Sequence, residues 1–165
     1  MLMYYTPTMH QSSFQNMSHV DEPVSAEDKE LMSKLPHAFV IGHLQYLNTC
    51  TRPDLAYVLS KLSRYLKNPG LMHWQAAVRV LQYLEATELV GLRCTGGLES
   101  EGMCDSSWGE NIDDRRSQAA VVFTRGGTAV SWKSWRIGEV SLSTTEAEYL
   151  LLRMLQQRRA GCLTC

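Results

Sequence analysis

The sequence predicts an α/β (α+β) chain, with helices first and then a strand meander and a closing helix. Three observations carry that expectation. Between Phe39 and Leu84, apolar residues recur at offsets of three and four, the helical period. From Leu89 onward the apolar runs shorten and are punctuated by Gly96-Gly97 and Gly126-Gly127. Leu142 to Tyr149, LSTTEAEY, then opens a last helix. Helices followed by a run of strands is an α+β order.

The elements follow in turn. Residues 1–33 show no sustained period and read as a mobile leader, with a helical turn after Ser25. Phe39, Val40, Leu44 and Leu47 mark a short helix. Thr51-Arg52-Pro53-Asp54 reads as a helix start, with a Thr cap, Pro in the first turn and Asp where the helix dipole favours it. Leu55, Val58, Leu59, Leu62, Tyr65 and Leu66 form its apolar stripe, and Asn68-Pro69-Gly70 ends it. A second amphipathic helix places Trp74, Ala77, Val78, Leu81 and Leu84 on one face. Arg52, Lys61, Arg64, Lys67 and Arg79 are assigned to the polar side of this pair. Leu89–Cys94 and Leu98–Asp105 read as strands, Ser117–Thr124 as a buried strand, and Thr128–Lys133 as its hairpin partner. The closing helix runs from about Thr144 to about Arg159.

Composition narrows the function classes. The 165 residues are 44% hydrophobic, enough for a core. No apolar run approaches the roughly eighteen residues of a membrane span, and the start lacks a secretory pattern. Sixteen basic against seventeen acidic residues argue against a strongly basic nucleic-acid binder. Five scattered cysteines read as reduced, mostly buried thiols of an intracellular protein, cytoplasmic or nuclear. Cys162 and Cys165 form a chance CxxC pair near the end.

Candidate chemistry begins with the carboxylates. Ser143 caps the last helix and Glu146 reaches back to it as a capping box, which gives Glu146 a structural task. Glu148 has no such task and is the better candidate for chemistry. Asp105 ends a strand, where burial in a sheet is costly unless the carboxylate binds a metal or is hydrogen-bonded. Beside Glu148 it would begin a carboxylate cage for Mg²⁺, which takes oxygen ligands. On spacing alone, an Asp that ends a strand is more often a turn residue than a metal ligand.

Seven stretches in one order add a resemblance: Thr51 to Tyr57, Asn68-Pro69-Gly70, His73-Trp74, Val80 to Leu84, Asp113 to Ser117, Val130 to Ser134, and Leu142 to Tyr149. The succession resembles the C-terminal part of a copia-type retrotransposon Pol polyprotein, across roughly residues 20–150. The resemblance implies the end of a reverse transcriptase, a helical connection segment over 34–87, and a truncated ribonuclease H-like domain over 88–165. It implies a mixed sheet with a packed helix and Mg²⁺-dependent cleavage of the RNA strand of RNA–DNA hybrids. In such chemistry two ions roughly 3.5–4 Å apart activate water and stabilise the leaving oxygen. Asp105 and Glu148 match the family's metal-binding catalytic carboxylates. Arg115 and Arg116 match its loop between the first two strands, where phosphate contact and a charged turn are equal readings.

The chain departs from that pattern in places. Ser107 and Asn111 stand where the family carries aspartates, and the match fades beyond Tyr149. The remaining metal-binding carboxylates are expected to be missing, which implies an inactive fragment when alone. Two other readings stay open: a non-catalytic module binding nucleic acid or a partner, and a remnant without function. An exposed sheet edge would favour self-association.

Overall fold

The computed structural model describes residues 17–138, except 24 and 95, together with Thr145, Glu148 and Tyr149. The chain divides into two compact units, 1–91 and 92–165. Among the described residues the architecture is the expected mixture, with α-helices in the first unit and a three-stranded antiparallel sheet in the second. Ser143 and Glu146, the capping pair, lie outside the described residues, as do Cys162 and Cys165.

The first unit is helical. α1 spans Ala26–Ser33 and is capped by Ser25, whose Oγ accepts from the Asp28 N–H at 3.0 Å. α2 spans His37–Cys50, α3 Ala56–Leu62 and α4 Leu71–Ala86. Leu55, Leu59 and Leu62 are completely buried against Ile41, Leu44 and Val80. Each such leucine stabilises the fold by about 2–3 kcal/mol.

The stripe Leu55–Tyr65 is inside as expected, but Leu66 is exposed. In α4 the buried face is His73, Ala76, Ala77 and Val80, while Leu81 is exposed. The expected stripe was therefore rotated, because the small Ala76 and Ala77 let the neighbouring helices approach. α2 shows the same shift, since it buries His37, Ile41, Leu44 and Asn48 and exposes Phe39. Thr51 is the C-cap of α2 and not the cap of the next helix. That helix begins as a 3-10 turn over Pro53–Leu55 and ends as another over Ser63–Tyr65.

Within the segment expected to be a mobile leader, Met17 and Ser18 are buried and residues 17–22 are tied to the first unit. The Met17 carbonyl accepts from the Tyr65 hydroxyl at 3.1 Å. Ser18 and Asp21 cap a 3-10 turn, and Glu22 accepts from Asn68 at 2.8 Å.

An irregular segment runs from the end of the first unit into the start of the second. Leu89–Cys94 does not form the expected strand. Leu89 and Val90 are exposed, and the Arg93 carbonyl accepts from the Thr128 hydroxyl instead of from a ladder N–H. β1 spans Ser100–Ser107, β2 Gln118–Arg125 and β3 Thr128–Arg136. β2 is central, with β1 and β3 antiparallel on either side. Gly126 and Gly127 turn the β2–β3 hairpin at φ 55° and 75°, which side chains resist. A Cβ on Gly126 would come within 2.5 Å of the Gly97 nitrogen, so the turn also needs glycine for space. Ala119 and Ile137 are buried with Cys104 and Trp135 packed on them. Cys50 and Cys94 are exposed free thiols, contrary to the mostly buried cysteines expected.

Candidate nucleic-acid interface

The register of the sheet fixes the surroundings of Asp105. It stands opposite Ala120, which stands opposite Ser134, so the carboxylate shares a sheet face with a methyl and a hydroxyl. Among the described residues β1 pairs along one edge, through β2. Asp105 is exposed and needs no metal to offset burial, which removes that part of the sequence argument. Thr145, Glu148 and Tyr149 are helical and exposed. Among the described residues no three His, Cys, Asp or Glu side chains cluster in a way that could hold a metal ion. Two exposed carboxylates do not by themselves make a cage for two Mg²⁺ ions.

The positions that replace expected aspartates have other tasks. The Ser107 hydroxyl donates to Glu110. Asn111 is buried and organises the connection between β1 and β2. Its N–H donates to the Arg116 carbonyl at 3.2 Å, its carbonyl accepts from the Arg115 N–H at 2.8 Å, and its amide donates to Asp114. Ser117, also buried, accepts from the Gly109 N–H at 3.3 Å.

Asp114 is the centre of this loop. Its carboxylate accepts from Asn111, from the Arg116 N–H at 3.2 Å and from the Arg136 guanidinium, with Arg116 Nε 3.5 Å away. Burial raises its pKa, but these hydrogen bonds and cations outweigh burial and hold it below the usual carboxylate range. Arg116 is thus turned inward on Asp114. Arg115 is exposed, makes no ion pair among the described residues, and has φ 54°. The two arginines that the sequence treats alike are therefore different in kind. Asn111 and Asp114 were not singled out as loop organisers. The Asn-x-x-Asp spacing, which lets one amide reach the carboxylate, was the available signal.

Of the five cations assigned to the polar side of the helix pair, two are buried, whereas Arg64 is half-buried and Lys67 and Arg79 are exposed. Arg52 and Lys61 are 6% and 2% exposed. Arg52 holds Asp54 through Nε at 3.1 Å and Nη2 at 2.7 Å, and donates to the Thr87 carbonyl at 3.1 Å and hydroxyl at 2.7 Å. The Tyr83 hydroxyl donates to Asp54 at 2.9 Å. Burial raises the Asp54 pKa, yet the bonds from Arg52 and Tyr83 leave it below its ordinary value. Burial raises Tyr83, with the Asp54 bond adding to it. This network ties the start of α3 to the end of α4. Lys61 lies with its ammonium 5.4 Å from the centre of the Tyr57 ring.

Comparison with known proteins places these features in a family. The chain is 42% identical over 130 residues to the retrovirus-related Pol polyprotein from transposon TNT 1-94 of Nicotiana tabacum, covering 78% of this chain and 10% of that protein. It is 38% identical over 112 residues to the retrovirus-related Pol polyprotein from transposon RE2 of Arabidopsis thaliana, covering 67% of this chain and 8% of that protein. The chain thus spans a tenth or less of either polyprotein's length. Secreted RxLR effector protein 161 of Plasmopara viticola is 39% identical over 123 residues, 73% of this chain and 87% of that protein. No protein-family model matches the chain, and no solved structure does.

Proposed function

Because the chain belongs to the retrovirus-related Pol polyproteins of copia-type transposons, we propose that its second unit is a ribonuclease H-like segment that binds RNA–DNA hybrids. The observation that carries this reading is the arrangement of the second unit. An antiparallel meander carries an exposed Asp105 on a strand that is at its edge among the described residues, an ordered Arg115 loop follows that strand, and Glu148, later in the chain, is helical and exposed. The family resemblance assigns those positions to metal ligands and phosphate contact.

Magnesium, where a complete set of carboxylates binds it, supplies an activated water and a charge sink for the leaving oxygen. The described residues offer Asp105 and Glu148 alone, short of the ligands two ions need. We therefore read this chain on its own as holding a hybrid without cutting it. In that reading Arg115 neutralises phosphate charge, and Asp105 and Glu148 are the remnant of the cage. Reversed charge at either carboxylate changes affinity for a polyanion and has no cleavage to abolish. The test is a labelled RNA–DNA hybrid incubated with the full chain, with and without Mg²⁺. Binding that weakens with salt and leaves the RNA intact is expected. Binding indifferent to salt, or none, would overturn the reading.

A further inference from the structure

Arg115 is, among the described residues, the one non-glycine with a left-handed backbone, at φ 54°. An L side chain resists that conformation and glycine does not, so glycine at this position would fold at lower cost. An arginine persists there only because the surroundings over-determine the loop. They do so visibly. The Arg115 N–H is held by the Asn111 carbonyl at 2.8 Å, and the next N–H, of Arg116, is held by Asp114 at 3.2 Å. Asp114 also occupies the cations on either side, Arg116 Nε at 3.5 Å and the Arg136 guanidinium. Those two arginines are about one-third exposed and face a carboxylate. Arg115 is exposed and keeps its charge for something outside the loop.

We propose that Arg115 is the phosphate-contacting cation of this loop, and that Asp114 is a positioning residue that fixes it there while withdrawing Arg116 and Arg136 from the ligand. The proposal rests on the reading of the second unit as a hybrid-binding segment and divides labour within it. The ligand chemistry is a phosphodiester backbone. A guanidinium presents parallel N–H groups that match two phosphate oxygens, and Arg115 is the exposed arginine of this loop. A lysine there would keep the charge and lose the paired donors.

The experiment compares full-length wild type, Arg115→Gly, Arg115→Lys, Arg116→Ala and Asp114→Asn. Each is titrated onto a fluorescein-labelled RNA–DNA hybrid at several salt concentrations, and each is unfolded in urea. Arg115→Gly should bind roughly tenfold more weakly, with the salt slope lower by about one, and should unfold no earlier than wild type. Arg115→Lys should keep the salt slope while losing part of the affinity. Arg116→Ala should unfold earlier and, while folded, keep the wild-type slope. Asp114→Asn should lose stability and, while folded, raise the salt slope because it frees Arg116 and Arg136; an unchanged slope would overturn the role given to Asp114. Wild-type affinity and slope in Arg115→Gly would overturn the proposal and leave hybrid binding standing. A wild-type chain that binds no hybrid would overturn both.

Discussion

Arg52 shows how one residue can look like a surface charge and be a buried tie. It is 6% exposed, with Asp54, Tyr83 and Thr87 around its guanidinium. Removing the partner charge leaves a buried cation half-satisfied. Asp54→Asn should therefore lower stability by about 2–3 kcal/mol, discounted because the Asp54 side chain is itself 32% exposed. The urea midpoint of the full chain reads this directly, and an unchanged midpoint would refute the tie.

Two histidines make the same kind of statement about pH. His37 and His73 are buried, and burial pushes both below the ordinary histidine value of 6.5. For His73, Asp21 and Glu22 pull the other way without prevailing. Its Nδ1 accepts from the Gly70 N–H at 2.9 Å, so a proton placed there would set donor against donor. The unfolded chain then takes up protons near pH 6.5 that the folded chain refuses. Stability is complete above 6.5 and falls as pH drops through 6.5 toward the lower folded values. Urea unfolding at about pH 7.5 and about pH 5.5 should show the lower midpoint at the acid value, and equal midpoints would contradict it.

At the scale of elements, close approach decides what apolar counting cannot. A Cβ on Gly70 would sit 1.7 Å from the Asp21 carbonyl oxygen, where the 17–22 segment crosses the start of α4. Tyr65 stacks on His73 at 4.0 Å beneath the same segment. Gly70→Ala must push these elements apart and should cost about 2–4 kcal/mol, close to an overpacking or backbone-strain penalty. Circular dichroism against temperature measures it, and a wild-type midpoint would contradict the packing. The helices themselves were legible from the offset of three and four, and so were their breaks at Pro53 and Asn68-Pro69-Gly70. The phase of the Leu55–Tyr65 stripe was legible too, but that of α4 was not. Leucine at position 81 draws an apolar count outward, whereas Ala76 and Ala77, which carry little apolar weight, mark the true contact. The β2–β3 hairpin was legible because Gly126-Gly127 admits few other turns. Leu89–Cys94 misled because its apolar composition could not reveal that Thr128 takes the Arg93 carbonyl.

At the scale of the whole molecule, two units share one chain and only the second carries the proposed interface. The matched stretch is a small part of long transposon polyproteins and most of the much shorter RxLR effector protein 161. Within the candidate interface, ordered motifs nominated Asp105, Glu148, Arg115 and Arg116, and what the fold adds is the loop that holds the two arginines. The inequality between Arg115 and Arg116 was not legible, because it depends on Arg136 arriving from β3 to share Asp114. The most direct measurement mixes the full-length chain with an RNA–DNA hybrid labelled on both strands, in Mg²⁺, and follows binding by anisotropy and the RNA strand on a gel. Salt-dependent binding with the RNA intact is the expected result. Cleavage of the RNA that disappears in Asp105→Asn and in Glu148→Gln, or failure of the hybrid to bind at low salt, would contradict it.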